Sequence, residues 1–504
     1  MTDALNTFWG GIMNLHELCR AANINCDLHG MDINRIKSNS SKVEKGDLFV
    51  CVKGLNKDGH DFVREAEKRG AAAIIAERNV ETSLPVFLTD NTRRALPLLY
   101  NAWYGYPSEK LKLVAVTGTN GKTSVTHMLK AIFDAAMYKT GLIGTVNSYL
   151  GDEKLEVSSG DSLANMTTPD PEELFHLLGV MAKNGAQYVF MEASSHSLAL
   201  DKLEGLEFEA AVFTNLTPEH LDFHKNMEDY FSAKSKLFDK AKKKIINTDD
   251  PYGKRLREMY KDSSCGCSIT RKCCEYFAGD IRDMGIEGSE YRFVSSDKQM
   301  LIRTPLIGRF NVMNTLEAAA CAAELGISPA DIKCALSSMC GVRGRLERVK
   351  LRTITDYSVF VDYAHTPDAL ENLLATVCRI RKCNERVVLL FGCGGDRDKS
   401  KRKKMGEIAS EYADLTVITS DNSRSEEPMD IIAEIASGIG TAEHVIIKDR
   451  AEAIEYVIKN ARKGDIILLA GKGHENYEID KNGKHPFDEK ELVALAAHKY
   501  YNED

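Results

Sequence analysis

A chain of 504 residues suffices for about three domains, each with its own core. Its composition, 43% hydrophobic and 28% charged, is that of an ordinary globular protein, and a net charge of −8 argues against a nucleic-acid partner but not against small phosphorylated ligands held by main-chain amides. Thirteen cysteines scattered over this length are no secreted disulfide scaffold, no basic start followed by an apolar core opens the sequence, and no apolar run nears the ~18 residues of a membrane span.

The expectation is a cytoplasmic protein with no signal peptide and no membrane span. Cys265, Cys267, Cys273 and Cys274 are close in sequence, but their spacing matches no zinc motif and they are read as free thiols.

Three blocks are expected, 1–110, 111–341 and 342–504. In the first, LFVCV (48–52) and AAAIIA (71–76) read as strands with the helical stretch DFVREAEKRG between them, and 91–103 reads as a helix stopped by Tyr104-Gly105-Tyr106-Pro107. The second opens on LKLVAV (111–116), a buried-type strand. A glycine-rich turn follows, then a helix whose apolar positions Val125, Met128, Leu129, Ile132, Phe133 and Ala136 form one face.

That turn is Gly118-Thr119-Asn120-Gly121-Lys122-Thr123. Between a strand and a helix it has the context of a phosphate-binding loop, in which main-chain N–H groups and the helix N-terminus face the phosphates. Lys122 would reach the β- and γ-phosphates and the Thr123 hydroxyl would ligate Mg2+; the strict pattern has glycine where Val116 stands. Further strands are expected at YVFM (188–191), AAVFT (210–214) and KKIIN (243–247), with 261–304 irregular, either β-rich or loop. Glu192 closes the run YVFM, so its carboxylate sits at a strand's carboxyl end, either as a Mg2+ ligand or as an ordinary exposed strand-end acid.

In the third block VVLLF (387–391), LTVIT (415–419), HVIIK (444–448) and DIILLA (465–470) alternate with helical patterns, the signature of a parallel sheet with right-handed crossovers. The loops after three of these runs, GCGGDRDKSK, SDNSRSEEP and GKGHE, are polar and mostly glycine-bearing. They belong at the carboxyl ends of the strands, where such sheets bind ligands.

TGTNGKTS, TTPD (167–170), MEASSH (191–196), NLTPEHLDFH (215–224), YFSAKSKLF (230–238), GRFNVMN (308–314), GRLERV (344–349), VDYAHTPDAL (361–370), GCGGDRDK (392–399) and GKGHE (471–475) occur in that order. Together they resemble the Mur ligase family, the ATP-dependent amide-forming ligases of peptidoglycan synthesis, from about residue 30 to 480. MEASSH resembles the branch that builds the UDP-muramoyl-tripeptide.

The resemblance implies a three-domain α/β protein: an N-terminal UDP-binding domain, a central phosphate-loop ATPase domain with a parallel-type sheet, and a C-terminal Rossmann-like domain for the amino acid. It implies a monomer acting on a UDP-N-acetylmuramoyl-dipeptide, with ATP phosphorylating the carboxylate and the amine of an amino acid attacking the acyl phosphate. In this setting Glu192 and His220 correspond to magnesium ligands. Lys234 corresponds to a lysine that CO2 converts to a carbamate (N6-carboxylysine), so that it approaches Mg2+ rather than repelling it. Asn311, Asn314, Arg345, Asp362 and His365 would hold the adenine and ribose.

Ser40, Thr167, Thr168, Ser194 and Lys202 would serve the UDP-muramoyl substrate. At the first of these the family's Asp-Ser-Arg is Asn39-Ser40-Ser41 here, and Leu200 and Lys202 replace a glutamine and an arginine of some relatives. Asp421-Asn422-Ser423-Arg424 resembles the Asp-Asn-Pro-Arg motif of the diaminopimelate-adding members. Arg424 and Asn422 would then hold the distal carboxylate, Glu475 the distal ammonium, and Arg397 the carboxylate nearer the reacting amine, with Gly471 a further substrate-binding residue. The alternatives are the lysine-adding ligase of the same family, and a non-catalytic relative, which would be expected to have lost Lys122, Glu192 or Lys234. A glutamate-tailing folate-type ligase would not be expected to carry GGDRDK or GKGHE.

Overall fold

The computed structural model describes residues 12–54, 57–155, 167–221, 223–339, 341–351 and 355–501, so the reading of the first eleven residues as free of a signal, and Asp222 within TPEHLDFH, lie outside the described residues. The chain forms two compact units, Met1–Cys267 with Glu317–Ile332, and Ser268–Leu316 with Lys333–Asp504.

In the first unit, Ile36–Lys37, Leu48–Val50, Ala73–Ala76 and Val86–Leu88 make a parallel sheet in that order. Its strands read as unbroken apolar runs because both faces are covered. Leu48, Val50, Ala73 and Ile75 pack with Ala95, Leu96 and Leu99 of the helix Thr92–Trp103, while Phe49, Cys51, Ile74 and Ala76 pack with Val63 and Ala66 of the helix Val63–Lys68.

The same unit holds a larger sheet centred on Lys112–Thr117, flanked by Tyr188–Glu192 and Phe208–Phe213, both parallel to it. Thr140–Ile143 lies beyond the first neighbour, and Ala241–Asn247 and then Ser264–Ser268 beyond the second, all parallel. The chain leaves Lys112–Thr117 for Thr140–Ile143, returns between them with Tyr188–Glu192, and then crosses to Phe208–Phe213 on the other side. The carboxyl end of Lys112–Thr117 is therefore a topological switch point, where such sheets leave a crevice. The helix Lys122–Ala135 starts there and buries Val125, Met128, Leu129, Ile132 and Phe133 completely.

In the second unit the irregular stretch resolves largely into antiparallel strands, Tyr276–Asp283, Ser289–Val294 and Gln299–Thr304. The last part is a six-stranded sheet in the order Glu347–Arg348, Ser358–Asp362, Ile466–Ala470, Val387–Phe391, Leu415–Ile418 and His444–Ile446, parallel except for its first edge strand. The last of these strands in the chain, Ile466–Ala470, inserts between Ser358–Asp362 and Val387–Phe391. The loops after 362, 391, 418 and 470 therefore emerge along one edge. Leu389, Phe391, Leu468 and Ala470 face one core, and Val388, Leu390, Ile467 and Leu469 the other. Among the described residues no helix is long and apolar enough to cross a membrane, and the described cysteines are free thiols.

Candidate active site

The phosphate loop is a rigid, self-bonded turn. Gly118 has φ +148° and Gly121, which caps the following helix, φ +91°. A Cβ on Gly118 would run into the Thr214 hydroxyl, so only glycine fits there. Asn215 stitches the loop from the neighbouring strand end: its main-chain oxygen accepts from Thr119 N–H at 2.9 Å and its Oδ1 from Asn120 N–H at 2.9 Å. Lys122 folds back over the loop, donating to Gly118 O at 3.0 Å and Thr119 O at 2.7 Å.

Glu192 is only 1% exposed, and its register partner in the adjacent strand is Val116, two residues before the loop. Its Oε2 accepts from the Thr123 hydroxyl and from the Thr145 hydroxyl, each at 3.0 Å, and its Oε1 from Thr145 N–H at 2.9 Å. Gly144 allows this approach, since a Cβ there would strike the carboxylate. Thr168 donates to Glu192 O at 2.8 Å and accepts from Ser194 N–H at 3.0 Å; Thr167 stands 3.2 Å from the Thr145 hydroxyl. Thr123, Thr167, Thr168, Glu192 and Ser194 thus gather at one strand end. A carboxylate beside a hydroxyl is a hard-oxygen set that suits Mg2+, an ion that takes few protein ligands and completes its shell with phosphates and water. The described residues contain no cluster of three or more His, Cys, Asp or Glu side chains able to hold a metal by themselves.

Lys234 comes from the helix Met227–Asp239 and is 1% exposed, unlike its lysine-rich surroundings. Its ammonium donates to Gly118 O at 2.8 Å and lies 4.7 Å over the Tyr230 ring. Burial, then the charge of Lys122, hold it well below the ordinary lysine value, against the opposing pull of Glu219. The Tyr230 hydroxyl reaches Thr119 Oγ1 at 3.2 Å. His220, at φ +57° and 44% exposed in its side chain, places Nε2 3.7 Å from Glu219, with its ring edge-on to His196 at 4.9 Å. Ser40 donates to Glu65 at 2.8 Å, and Lys202 pairs with Asp170 at 2.6 Å.

In the second unit Asp362 caps its own turn, accepting from Leu346 N–H at 2.6 Å and Ala364 N–H at 2.7 Å. Burial pushes its carboxyl up against the pull of Arg345, whose guanidinium stacks 4.8 Å over Tyr363. His365 donates from Nδ1 to Tyr363 O at 2.8 Å. Asn311 and Asn314 bond to each other at 3.3 Å on the helix Arg309–Glu324.

The polar loops of the six-stranded sheet meet. Asn422 donates from Nδ2 to Glu475 Oε2 at 2.8 Å. Arg424, at φ +52°, donates to Gly395 O at 2.7 Å and Asn422 O at 3.3 Å. Gly471 packs against the Asp421 carboxylate, which a Cβ would strike. Arg397 is exposed, its Cγ on the same side of Gly394 as the Arg424 guanidinium. Burial, then Asp421, push the Glu475 carboxyl up.

Sequence reading did not assign Thr145, Asn215, Lys472 or Arg450. Thr145 follows a strand, Thr140–Ile143, too short and glycine-broken to stand out. Lys472 lay inside the quoted GKGHE without a role. Arg450 begins the helix Arg450–Lys459 and is wholly buried, donating to Ser420 O at 3.1 Å, Ala470 O at 2.9 Å and Glu489 at 2.8 Å, which ties together the strand ends that carry two of the loops.

Three family descriptions match the chain in succession: Mur ligase family, catalytic domain, over residues 32–102; Mur ligase middle domain over 116–322; and Mur ligase, glutamate ligase domain, over 344–473. The UDP-N-acetylmuramoyl-L-alanyl-D-glutamate--2,6-diaminopimelate ligase of Syntrophomonas wolfei is 42% identical over 475 residues, covering 92% of this chain and 94% of that protein. The ligase of that name from Clostridium perfringens is 41% identical over 468 residues, covering 92% and 94%. A solved structure bearing the same name is 29% identical, with a TM-score of 0.70 over 98% of this chain and 100% of the other. MurF ligase from Thermotoga maritima, solved in complex with ADP, shares the fold at 19% identity and a TM-score of 0.59, covering 93% and 97%.

Proposed function

The chain belongs to the Mur ligase family, and we propose that it is the ATP-dependent ligase that joins meso-diaminopimelate to UDP-N-acetylmuramoyl-L-alanyl-D-glutamate, a cytoplasmic step of peptidoglycan precursor synthesis carried out by a monomer. Residues 1–110 bind the UDP end of the substrate, 111–341 bind ATP and Mg2+, and 342–504 bind the amino acid.

A carboxylate is a poor electrophile, so the D-glutamyl carboxylate first takes the γ-phosphoryl group of ATP, releasing ADP. The free amine of diaminopimelate then attacks the acyl carbon, the C–O bond to phosphate breaks, and the amine loses its proton. Most of the protein's work is positioning and charge compensation. The glycine loop 118–121 and the N-terminus of the helix Lys122–Ala135 cradle the phosphates, and Lys122 swings from the loop carbonyls onto them. Thr123, Glu192, His220 and the carbamate form of Lys234 would hold Mg2+, which would supply charge neutralisation between two anions. A buried amine with a depressed pKa suits carbamate formation, because only the uncharged amine reacts with CO2. Asn311, Asn314, Arg345, Asp362 and His365 hold the nucleoside. Ser40, Thr167, Thr168, Ser194 and Lys202 serve the UDP-muramoyl chain.

The observation that carries the amino-acid assignment is the meeting of Asn422, Arg424 and Glu475 on one sheet edge, two donors and one acceptor for a distal carboxylate and ammonium. Phosphate release from ATP, measured with UDP-N-acetylmuramoyl-dipeptide and a panel of amino acids, tests it. Meso-diaminopimelate is expected to support turnover and lysine to fail; equal use of lysine overturns the assignment.

A further inference from the structure

The side-chain amide of Asn422 is held in one orientation by three partners. Its Oδ1 accepts from Lys472 Nζ at 3.1 Å and from Ile479 N–H at 2.9 Å, while its Nδ2 donates to Glu475 Oε2 at 2.8 Å. An ammonium and a main-chain N–H only donate, and a carboxylate only accepts, so a flipped amide would set its NH2 against two donors and its oxygen against an anion. Two of the three partners come from the GKGHE loop.

Lys472 is 0% exposed. Its remaining contacts face inward: it donates to Tyr477 O at 3.0 Å, stands 3.7 Å from Asp421 Oδ1, and lies over the Phe487 ring at 5.3 Å. Burial raises the Asp421 carboxyl, but Lys472 and Arg450 outweigh it and hold the group ionised, so the lysine has a charge partner. A cation so enclosed acts through Asn422. The amide keeps a second N–H beyond the one given to Glu475. Arg424 reaches the main-chain oxygen of the same asparagine, so both donors stand on one short loop.

We propose that Lys472 is a positioning residue that fixes the hydrogen-bonding polarity of Asn422, so that the amino-acid site presents a donor to the far end of its ligand and selects an amino acid bearing a second carboxylate over one ending in an amine alone. This rests on the reading of these loops as the amino-acid site. With the lysine gone, Asn422 Oδ1 keeps only the Ile479 N–H of its two donors, and the amide turns its oxygen outward more readily, which tolerates an ammonium.

The test compares Lys472→Met, which keeps the length and removes the donor, with Lys472→Arg, which keeps a cationic donor. It measures kcat and KM for meso-diaminopimelate and for lysine, with the thermal midpoint and ADP affinity as checks of folding. Lys472→Met is expected to raise KM for diaminopimelate with little change in kcat, and to lower the diaminopimelate-to-lysine ratio of kcat/KM by about tenfold or more. Lys472→Arg is expected to recover part of the ratio. A folded Lys472→Met protein with the wild-type ratio overturns the proposal. Asn422→Asp, which fills the same space but cannot donate, covers the case in which the methionine variant does not fold: it is expected to lose the preference, and an unchanged ratio overturns the proposal equally. A wild-type enzyme with no preference for diaminopimelate overturns instead the reading on which the proposal rests.

Discussion

Lys122 and Lys234 converge on a single atom: both ammonium groups donate to the main-chain oxygen of Gly118, at 3.0 and 2.8 Å. Two cations sharing one carbonyl repel each other, and the buried one yields, which is why the charge of Lys122 follows burial in holding Lys234 below the ordinary lysine value. The loop geometry thereby couples the residue proposed to meet phosphate to the residue proposed to react with CO2.

Lys122→Ala is expected to cut phosphate release by at least about two orders of magnitude, the scale of losing one charged donor to a transferring group, without unfolding the protein. The lysine is half-buried and folds over the loop carbonyls of Gly118 and Thr119 rather than into the apolar core. Circular dichroism and the thermal midpoint check the fold. Near-normal turnover in a folded variant would remove the loop from the reaction.

Lys234→Ala is expected to be nearly inactive and to regain part of its turnover when short carboxylic acids are added, because they would stand in for the proposed carbamate; full activity without rescue would reject a metal-holding role. The depressed pKa makes a separate prediction in CO2-free buffer. Between the folded value and the 10.5 of an ordinary lysine, the unfolded chain binds more protons than the folded one, so the folded state gains stability as pH rises through that window. Lys234→Met lacks this titration. Denaturation is expected to find the methionine variant favoured most below the folded pKa, with the gap narrowing toward pH 10.5; a gap independent of pH would contradict the depressed value.

Arg450 and Glu489 form an ion pair with side chains 0% and 2% exposed. Arg450→Met leaves Glu489 charged and buried and strips Ser420 O and Ala470 O of a donor, a loss of about 3–5 kcal/mol. Replacing both partners removes the stranded charge, so Arg450→Met with Glu489→Leu is expected to be more stable than Arg450→Met alone. Urea denaturation of the two single variants and the double variant measures this, and a double variant as unstable as the sum of the singles would show that the pair carries no coupling.

Much of this architecture was legible because its strands are buried on both faces and therefore read as plain apolar runs, as at Leu113–Val116 and Val387–Phe391. The phosphate loop was legible because glycine is forced where Gly118 meets Thr214. Less visible were parts defined by pairing across the chain. Thr140–Ile143 is four residues with a glycine against Met181, and Ser358–Asp362 is recognisable as a strand only once Ile466–Ala470 pairs with it. The roles of Thr145 and Lys472 are equally non-local, since each is defined by a partner at least 47 residues away, Glu192 and Asn422. The lysine-rich stretch AKSKLFDKAKKK has by itself the pattern of a solvated face, and the fold turns Lys234 inward.

In the proposed function the amino-acid preference rests on Arg424. Ser423 stands where the family motif has proline, a change that removes a fixed φ and suggests a looser loop. Other contacts hold it: Ser423 is buried, Gly395 packs against its carbonyl, and Arg424 N–H donates to Ile479 O at 3.1 Å. The neighbouring acids do not compete for the guanidinium, because Glu426 pairs with Arg402 and Lys399, and Glu427 with Lys448. Arg424 bonds to two main-chain carbonyls, and Asp396 and Glu475 feel its charge, so the proposed ligand carboxylate would take its remaining donors. A lysine substrate would leave that guanidinium partly buried and facing an aliphatic chain, a loss on the order of a few kcal/mol. Arg424→Ala is expected to raise KM for meso-diaminopimelate by about a hundredfold while leaving KM for ATP near its wild-type value, and to shrink the preference over lysine. Steady-state kinetics with both amino acids decide it: an undiminished preference in the folded variant would move distal-carboxylate recognition away from Arg424.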